Sequence, residues 1–379
     1  MANILFIGHE ASRSGAPFTQ LYLMQWLKQH TQHKMALVLL KGGPLVEEFK
    51  QLADVHIVEK SAFSLASRIR NKLIRMSGRE HVDTVKWVVK HKPDILFSSS
   101  LAGIDYGAML KEKTGTNFIC NIHELSATFH YARPGEYLDG LQKADWLMMG
   151  SHAVKEFYLK NFAVDPKKVS VIYDFTGDPP TGETTFADIR KAHNIPATAK
   201  IVGGMGSLQW RKGNDLFLAV ARRALETSPD TYFVWVGGHT STPEYKQWEH
   251  DVRLAGIADR LVMAGEQKDI QSYYHAFDVF LLTSREDPFP LVCLESAMAG
   301  VPVICFENSG GMPEFVRDDA GFVVGYINTD EMAEKTLLLL NDDALRQQKG
   351  AVARERAING HTIGKTGPSV LALIESVWS

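Results

Sequence analysis

The chain has 379 residues, and 45% of them are hydrophobic, which is enough for two ordinary domains with separate cores. The formal net charge of −3 provides no general basic surface, so we expect no nucleic-acid partner. No apolar run reaches the roughly 18 residues that a transmembrane helix needs, and the amino terminus lacks the basic lead of a signal peptide.

Three cysteines, Cys120, Cys293 and Cys305, lie far apart and show no Cys-x-x-Cys spacing. An odd number of cysteines cannot all pair within one chain. We therefore expect reduced thiols in apolar surroundings and a cytoplasmic protein.

Short apolar segments that end in glycine, serine, histidine or an acid alternate with longer segments of helical periodicity. This alternation is typical of β-α-β units around a parallel sheet. In the first half, the predicted strands are ILFIG (4–8), MALVLL (35–40), DILFSSS (94–100), NFICNIH (117–123), DWLMMGS (145–151) and VSVIYD (169–174). In the second half, they are KIVGGMGS (200–207), YFVWVGG (232–238), RLVMAGE (260–266), DVFLLTS (278–284), VPVICFE (301–307) and GFVVGY (321–326). The predicted class is α/β, with two doubly wound Rossmann-like domains.

A segment rich in glycine, proline and threonine, FTGDPPTGETTFADIR (175–190), separates the two halves. We place the domain boundary there, with an amino-terminal domain over 1–174 and a carboxyl-terminal domain over 175–360. The last helix, about 361–379, is expected to pack back on the amino-terminal domain. Open parallel sheets bind ligands beyond the carboxyl ends of their strands, and we expect the site in a cleft between the domains.

Two loops that follow predicted strands could hold an anion. The first, GHEASRSGAP (8–17), includes Gly15 and leads into a helical segment, where backbone N–H groups can surround a negative group. The second, GGMGSLQWRKG (203–213), matches neither common phosphate motif but ends in Arg211 and Lys212, which suit a diphosphate. An ordinary turn that needs glycine, and a basic pair in a surface loop, are the structural alternatives.

The segment SREDPFPLVCLE (284–295) holds two acids, Asp287 and Glu295, around a proline-stiffened turn. A helix that begins near Pro290 would direct its free N–H groups at the strand end. Because an acid in an apolar helix is rarely buried without a partner, Glu295 predicts a ligand such as ribose hydroxyls. The alternative is an exposed helical glutamate. A second glycine turn, ENSGGMPE (307–314), predicts another anion site beside the first.

The segment SREDPFPLVCLESAMAGVPVICFENSGGMPEFV (284–316) resembles the donor site of retaining glycosyltransferases of the GT-B fold, family four (glycosyltransferase group 1). That family has two acids separated by seven residues, as Asp287 and Glu295 are. GMGSLQWRKGNDLFLAVA (204–221) resembles the family's Gly-x-Leu-x3-Lys-Gly segment, and ASRSGAP (11–17) its amino-terminal glycine loop.

The resemblance implies three catalytic residues. Lys212 would grip the donor diphosphate, Asp287 would meet hydroxyls of the transferred sugar, and His123 falls where the family places a histidine near that sugar. For His123, the structural alternative is a strand-end histidine that has an internal partner. Glu295 would bind the ribose. The other implied donor-binding residues are Gly15, Ser207, Arg211, Gly265, Glu266, Phe289, Pro290, Leu291 and Val292, with Gly265 and Glu266 bordering the nucleobase.

The sequence departs from the family pattern at two positions. Ser207 replaces the common arginine of Gly-Arg-Leu, so Arg211 is our candidate for the missing phosphate contact. Asp287 is one methylene shorter than the usual glutamate.

The resemblance implies a retaining hexosyltransferase acting in polysaccharide biosynthesis. Its donor would be a nucleotide sugar, with UDP-glucose as our first choice, and its acceptor a glycan or lipid-linked saccharide bound by the amino-terminal domain. No Asp-x-Asp motif occurs, and we expect no metal and no other cofactor, because the cationic pair and helix N-termini can stabilise the departing diphosphate.

Two alternatives share this layout. A UDP-sugar 2-epimerase would need acid–base carboxylates and a histidine facing the sugar. A non-catalytic nucleotide-sugar binding protein would keep Glu295 and Lys212 without turnover.

The segment SLASRIRNKLIR (64–75) combines an apolar stripe with basic flanks. It predicts peripheral contact with anionic lipid at the inner face of the membrane. An ordinary surface helix is the alternative.

Overall fold

The computed structural model describes residues 1–59, 79–133, 135–179 and 185–378. Contacts between residues divide the chain into two compact units, Met1–Gly177 with Ile363–Ser379, and Asp178–Thr362. The sequence analysis places the boundary after residue 174 and the return of the last helix at about 361. The proposed lipid-binding segment, 64–75, lies outside the described residues.

A sheet of seven parallel strands forms the centre of the first unit, in the order β3-β2-β1-β4-β5-β6-β7. The strands are β1 (Asn3–Gly8), β2 (Lys34–Lys41), β3 (Asp54–Glu59), β4 (Ile95–Ser98), β5 (Asn117–Ile122), β6 (Trp146–Met149) and β7 (Val169–Val171). The helices are α1 (Gly15–His30), α2 (Val46–Lys50), α3 (Arg79–His91), α4 (Ile104–Thr114), α5 (Ser126–Tyr131), α6 (Leu138–Lys143), α7 (His152–Asn161) and, from the end of the chain, α16 (Ile363–Trp378). Short 3₁₀ turns cover Leu101–Gly103 and Pro166–Lys168.

Strand β1 shows why this sheet is buried on both faces. Ile4 and Phe6 join one apolar cluster, and Leu5 and Ile7 join another on the opposite face. Successive side chains of a strand point to opposite faces, so a continuous apolar run fits a sheet that helices cover on both sides.

Helix α16 packs on α1 within the first unit. Ile363, Val370 and Ile374 belong to the same buried cluster as Trp26 of α1. At Gly367, a Cβ atom would lie 2.7 Å from the Trp26 ring, so glycine is what lets this tryptophan approach the α16 backbone.

A sheet of six parallel strands forms the centre of the second unit, in the order β10-β9-β8-β11-β12-β13. The strands are β8 (Ile201–Met205), β9 (Tyr232–Val236), β10 (Leu261–Gly265), β11 (Val279–Leu282), β12 (Val303–Phe306) and β13 (Gly321–Val324). The helices are α8 (Ile189–Ala192), α9 (Asn214–Leu225), α10 (Pro243–Leu254), α11 (Gln271–Ala276), α12 (Leu291–Met298), α13 (Met312–Val316), α14 (Thr329–Asn341) and α15 (Asp343–Gly360), and a 3₁₀ turn covers Trp210–Lys212. None of the helices in the described parts of the chain is long and apolar enough to span a membrane.

Each predicted strand overlaps a strand of the structure, and among the strands of the described residues, β3 is the one that the sequence analysis missed. Its sequence, DVHIVE, mixes polar and apolar residues, and its described side chains are half-buried or exposed. In the part of the chain that the structure describes, β3 pairs with β2 alone and lies at the edge of the sheet, so it needs no continuous apolar run.

Candidate active site

The segment 284–295 follows β11 and turns into α12, as predicted. Ser284 is buried two residues beyond the end of the strand, and Pro290 is the N-cap residue of α12, whose first residue is Leu291. The prediction of a helix that begins near Pro290 is confirmed. Asp287 lies in the turn and Glu295 inside the helix, and both are buried, with 5% and 9% exposure. The alternative of an exposed helical glutamate is therefore wrong.

Asp287 binds both members of the predicted cationic pair. Lys212 Nζ lies 2.6 Å from Asp287 Oδ2, Arg211 Nη1 lies 3.3 Å from Oδ1, and Ser284 Oγ donates to Oδ2 at 3.1 Å. Burial alone would raise the pKa of Asp287, but the charges of Lys212 and Arg211 and the hydrogen bonds outweigh it, so this pKa is lowered. With two cations on one carboxylate, the cluster keeps one positive charge in excess.

Two glycines let the surrounding loops approach closely. Gly213 follows Lys212 with φ of 67°, and a Cβ atom there would lie 2.0 Å from the carbonyl oxygen of Thr283. Gly310 has φ of 126°, and its Cβ would lie 1.9 Å from the carbonyl oxygen of Asp287. A residue with a side chain would be both strained and too close at either position. The glycines thus hold the Lys212 loop and the 307–314 loop against the end of β11 and the acidic turn.

The 307–314 loop is also bonded to the acidic turn through the backbone. Asp287 N donates to Ser309 O at 2.6 Å, and Gly311 N donates to Pro288 O at 2.8 Å. The two predicted loops are therefore neighbours.

Glu295 has a neutral partner that the sequence analysis missed. Tyr274 donates its hydroxyl to Glu295 Oε2 at 2.8 Å, and this hydroxyl also lies 3.1 Å from the sulfur of Met205. Burial raises the pKa of Glu295 to about 7, and the hydrogen bond from Tyr274 offsets only part of that effect. The two acids of the motif thus differ: the pKa of Asp287 is lowered by cations, and that of Glu295 is raised by burial.

The other residues predicted in the donor site occupy varied positions. Ser207 and Glu266 are exposed, and Gly265 accepts from Gly237 N at 2.7 Å. Phe289 is buried, with its ring 5.2 Å from that of His361. Leu291 and Val292 are half-buried in the first turn of α12, and Gly15 begins α1 in the first unit.

His123 directly follows β5 in the first unit and forms an ion pair with the buried Asp174. Its Nδ1 lies 2.8 Å from the carboxylate of Asp174. Burial lowers the pKa of His123, but the Asp174 carboxylate outweighs it, and the pKa is raised to about 8. Gly150 provides the space, because a Cβ atom there would lie 2.6 Å from Asp174 Oδ2. This contact fits the structural alternative, and contact of His123 with a sugar stays a prediction.

Tyr274 and Asp174 are the partners that sequence reasoning missed. Tyr274 precedes Glu295 by 21 positions, and Asp174 follows His123 by 51. Asp174 carried one weak signal, as an acid at the end of the predicted strand VSVIYD, and Tyr274 carried none. Within the described ranges, no group of three or more histidine, cysteine or acidic side chains is arranged to hold a metal ion.

Comparison with known proteins finds similarity that includes most of the second unit. Residues 185–356 match the family model described as "Glycosyl transferases group 1". The chain is similar to the lipopolysaccharide core biosynthesis mannosyltransferase LpsB of Rhizobium meliloti, with 26% identity over 205 residues that cover 52% of this chain and 57% of that protein. It is also similar to the D-inositol 3-phosphate glycosyltransferase of Corynebacterium diphtheriae, with 29% identity over 58% of this chain and 53% of that protein. These matches span little more than half the length of either relative.

Comparison with solved structures identifies the fold. The structure of HepE from Anabaena in complex with UDP and glucose has 16% sequence identity to this chain and a TM-score of 0.84, covering 99% of this chain and 100% of that one. The chain has the GT-B fold, so the predicted fold class is confirmed.

Proposed function

We propose that this chain is a retaining hexosyltransferase, and the match of residues 185–356 to the family model of glycosyl transferases group 1 supports this reaction class. Its preferred donor is UDP-glucose, and its acceptor is a glycan or a lipid-linked saccharide in polysaccharide biosynthesis. The relatives named mannosyltransferase and D-inositol 3-phosphate glycosyltransferase support sugar transfer as the reaction class.

The observation that carries this proposal is the cluster of Arg211, Lys212 and Asp287. It lies at the carboxyl ends of β8 and β11, where parallel sheets bind ligands. Its excess positive charge favours an anionic ligand, and a diphosphate offers several oxygens to a guanidinium and an ammonium group.

The proposed chemistry assigns a different task to each buried group. Lys212 and Arg211 stabilise the charge that develops on the departing diphosphate, a task that a metal ion performs in other enzymes. Asp287 accepts hydroxyls of the transferred sugar and fixes its orientation. Glu295, once ionised, accepts the ribose hydroxyls. We propose that the reaction needs no metal ion and no other cofactor.

The acceptor is assigned to the first unit. His123 is the residue there for which a contact with the sugar is proposed, and its pKa of about 8 makes it a cation at neutral pH. A cationic histidine is a hydrogen-bond donor and cannot accept a proton, so it would act as a donor to a sugar oxygen. Peripheral lipid contact through 64–75 stays a prediction, which sedimentation with anionic vesicles can test.

The proposed function is tested in two steps. A thermal-shift screen with UDP-, GDP- and ADP-sugars identifies the nucleotide, because a ligand that binds the folded state raises stability by RT ln(1 + [L]/Kd). The nucleotide sugar that binds is then incubated with candidate acceptors. Release of the nucleoside diphosphate with formation of a glycoside supports the proposal. Formation of an epimeric nucleotide sugar would support the epimerase instead, and binding without turnover would support the binding protein.

A further inference from the structure

Arg285 lies between Ser284 and Glu286 and contacts the loop that carries the cationic pair. Its guanidinium donates to both carboxylate oxygens of Asp215, at 2.9 and 2.6 Å, and to the carbonyl oxygen of Trp210 at 2.8 Å. It also stacks on the Trp210 ring, 5.0 Å from the ring centroid. The side chain is only 12% exposed, so these contacts hold a single, packed arrangement.

The backbone of Arg285 contacts the same loop. Its N–H donates to the carbonyl oxygen of Arg211 at 2.8 Å. Two positions earlier, the hydroxyl of Thr283 donates to the carbonyl oxygen of Lys212 at 3.3 Å. In the sequence, Arg211 and Lys212 therefore lie between Trp210 and Asp215, the two residues that the guanidinium of Arg285 contacts. Asp287, their partner, is two residues beyond Arg285 in the same segment.

The charge of Arg285 does not reach the site as an additional cation. Its hydrogen bonds lower the pKa of Asp215, and Asp215 in turn raises the pKa of Arg285, so the two form a neutral pair. What Arg285 supplies is geometry, because it fixes the segment of the two cations against the segment of the acid.

We propose that Arg285, held by Asp215, is a positioning residue that sets the place of Lys212 relative to Asp287 and thereby the affinity of the site for a nucleoside diphosphate. The affinity part of this role rests on the proposed function. The planar guanidinium is required for three contacts at once. It donates two hydrogen bonds to the Asp215 carboxylate and one to the carbonyl oxygen of Trp210, and its flat face stacks on the Trp210 ring. Lysine keeps the charge but cannot make these contacts together.

Arg260 provides a matched control in the same unit. It binds Asp259 at 2.8 Å and stacks on Tyr232 at 5.2 Å, but it precedes β10 and lies at the amino ends of the strands. Arg260→Lys thus removes the same kind of contacts at the amino ends of the strands, away from the cluster at their carboxyl ends.

The first test needs no nucleotide. The carboxyl titration of Asp287 is followed by NMR in the full chain, with the signal assigned from Asp287→Asn. We expect the pKa of Asp287 to rise in Arg285→Lys, because Lys212 is released from it, and to stay at the wild-type value in Arg260→Lys. An unchanged pKa in Arg285→Lys, or the same rise in both variants, would overturn the proposal.

The second test measures UDP affinity by calorimetry. We expect Arg285→Lys to bind UDP about tenfold more weakly than wild type, the size of effect that follows from loss of one charge-assisted contact. In a Lys212→Ala background, Arg285→Lys should have no further effect, because it acts through Lys212. An equal loss in both backgrounds would overturn the proposal. If wild type binds no nucleotide, the proposed function fails, while the titration still decides the role of Arg285.

Discussion

Lys212 Nζ lies 2.6 Å from Asp287 Oδ2, although the two residues are 75 positions apart in the sequence. The Lys212 ammonium group has three N–H donors, so after one of them binds Asp287 the remaining donors can bind a phosphate. The acid thus orients the lysine without consuming its capacity to bind an anion. This contact joins two loops, each of which the sequence analysis assigns to the donor by itself.

Replacement of Asp287 tests whether the acid is part of the reaction. Asp287→Asn should lower turnover by about two powers of ten, because it loses both the charge that holds Lys212 and the charged acceptor for the sugar. Steady-state kinetics with a titrated donor measure the effect, and Asp230→Asn, an exposed aspartate of the same unit, serves as control. Turnover at the wild-type rate in Asp287→Asn would remove this residue from the site.

Asp287→Glu restores the residue that is common in the family, and we expect it to be partly active. The added methylene has little space, because Asp287 is buried and its backbone is bonded to the 307–314 loop. Pro288 and Pro290 also stiffen the turn that carries it.

Donor affinity should depend on pH through Glu295. The pKa of Glu295 is about 7, and the ionised carboxylate accepts ribose hydroxyls better than the neutral acid does. Affinity for UDP should therefore rise between about pH 6 and pH 8. In Glu295→Gln, binding of UDP should be weaker than in wild type by about 1.5–3 kcal/mol near pH 8. The affinity of this variant should not rise between about pH 6 and pH 8. Calorimetry across the range measures both effects, and equal pH dependence in the two proteins would exclude Glu295 as the cause.

The free energy of unfolding should fall with rising pH because of Glu295, whereas the affinity for UDP should rise. The pKa of Glu295 is raised from 4.5 to about 7 in the folded chain, so between these values the folded state holds a proton that the unfolded state has lost. The free energy of unfolding therefore falls as pH rises from 4.5 to about 7, and stays lower above it. Glu295→Gln should be more stable than wild type at alkaline pH, by about 3 kcal/mol, and should match wild type at acidic pH.

Denaturant unfolding at the two pH values provides this comparison. Glu244→Gln, an exposed glutamate of α10, should match wild type at both. A Glu295→Gln variant that is less stable than wild type at alkaline pH would show that the ionised carboxylate is well accommodated.

The strands and the strand-end loops could be predicted because they depend on local pattern. An apolar run followed by glycine or a polar residue marks the end of a buried strand wherever it occurs, which is how Lys212 and Asp287 were both placed at strand ends. Strand β3 was missed for the same reason, since an edge strand can be built from mixed residues.

The contacts that complete the site could not be predicted, because they depend on how distant segments pack. Tyr274 reaches Glu295 from a different helix, α11, and Asp174 reaches His123 from the chain that follows β7. In the sequence, Arg285 is one charge among several, and its contacts with Asp215 and Trp210 appear in the structure alone.

Removal of divalent metal ions should leave the reaction intact. If Lys212 and Arg211 stabilise the leaving diphosphate, a chelator such as EDTA should change the rate of UDP release by less than about twofold. The measurement is a time course with and without chelator after dialysis. Loss of activity that added Mg²⁺ or Mn²⁺ restores would contradict metal-independent transfer.

The most direct test of the donor site is the behaviour of Lys212→Ala beside Lys246→Ala, which removes an exposed lysine of α10. The affinity for UDP is measured by calorimetry, and turnover by release of UDP from UDP-glucose, with melting temperatures as a check on folding. We predict that Lys212→Ala folds, binds UDP more weakly and turns over about two to three powers of ten more slowly, while Lys246→Ala matches wild type. Wild-type affinity and turnover in a folded Lys212→Ala variant would contradict the assignment of this cluster to the donor diphosphate.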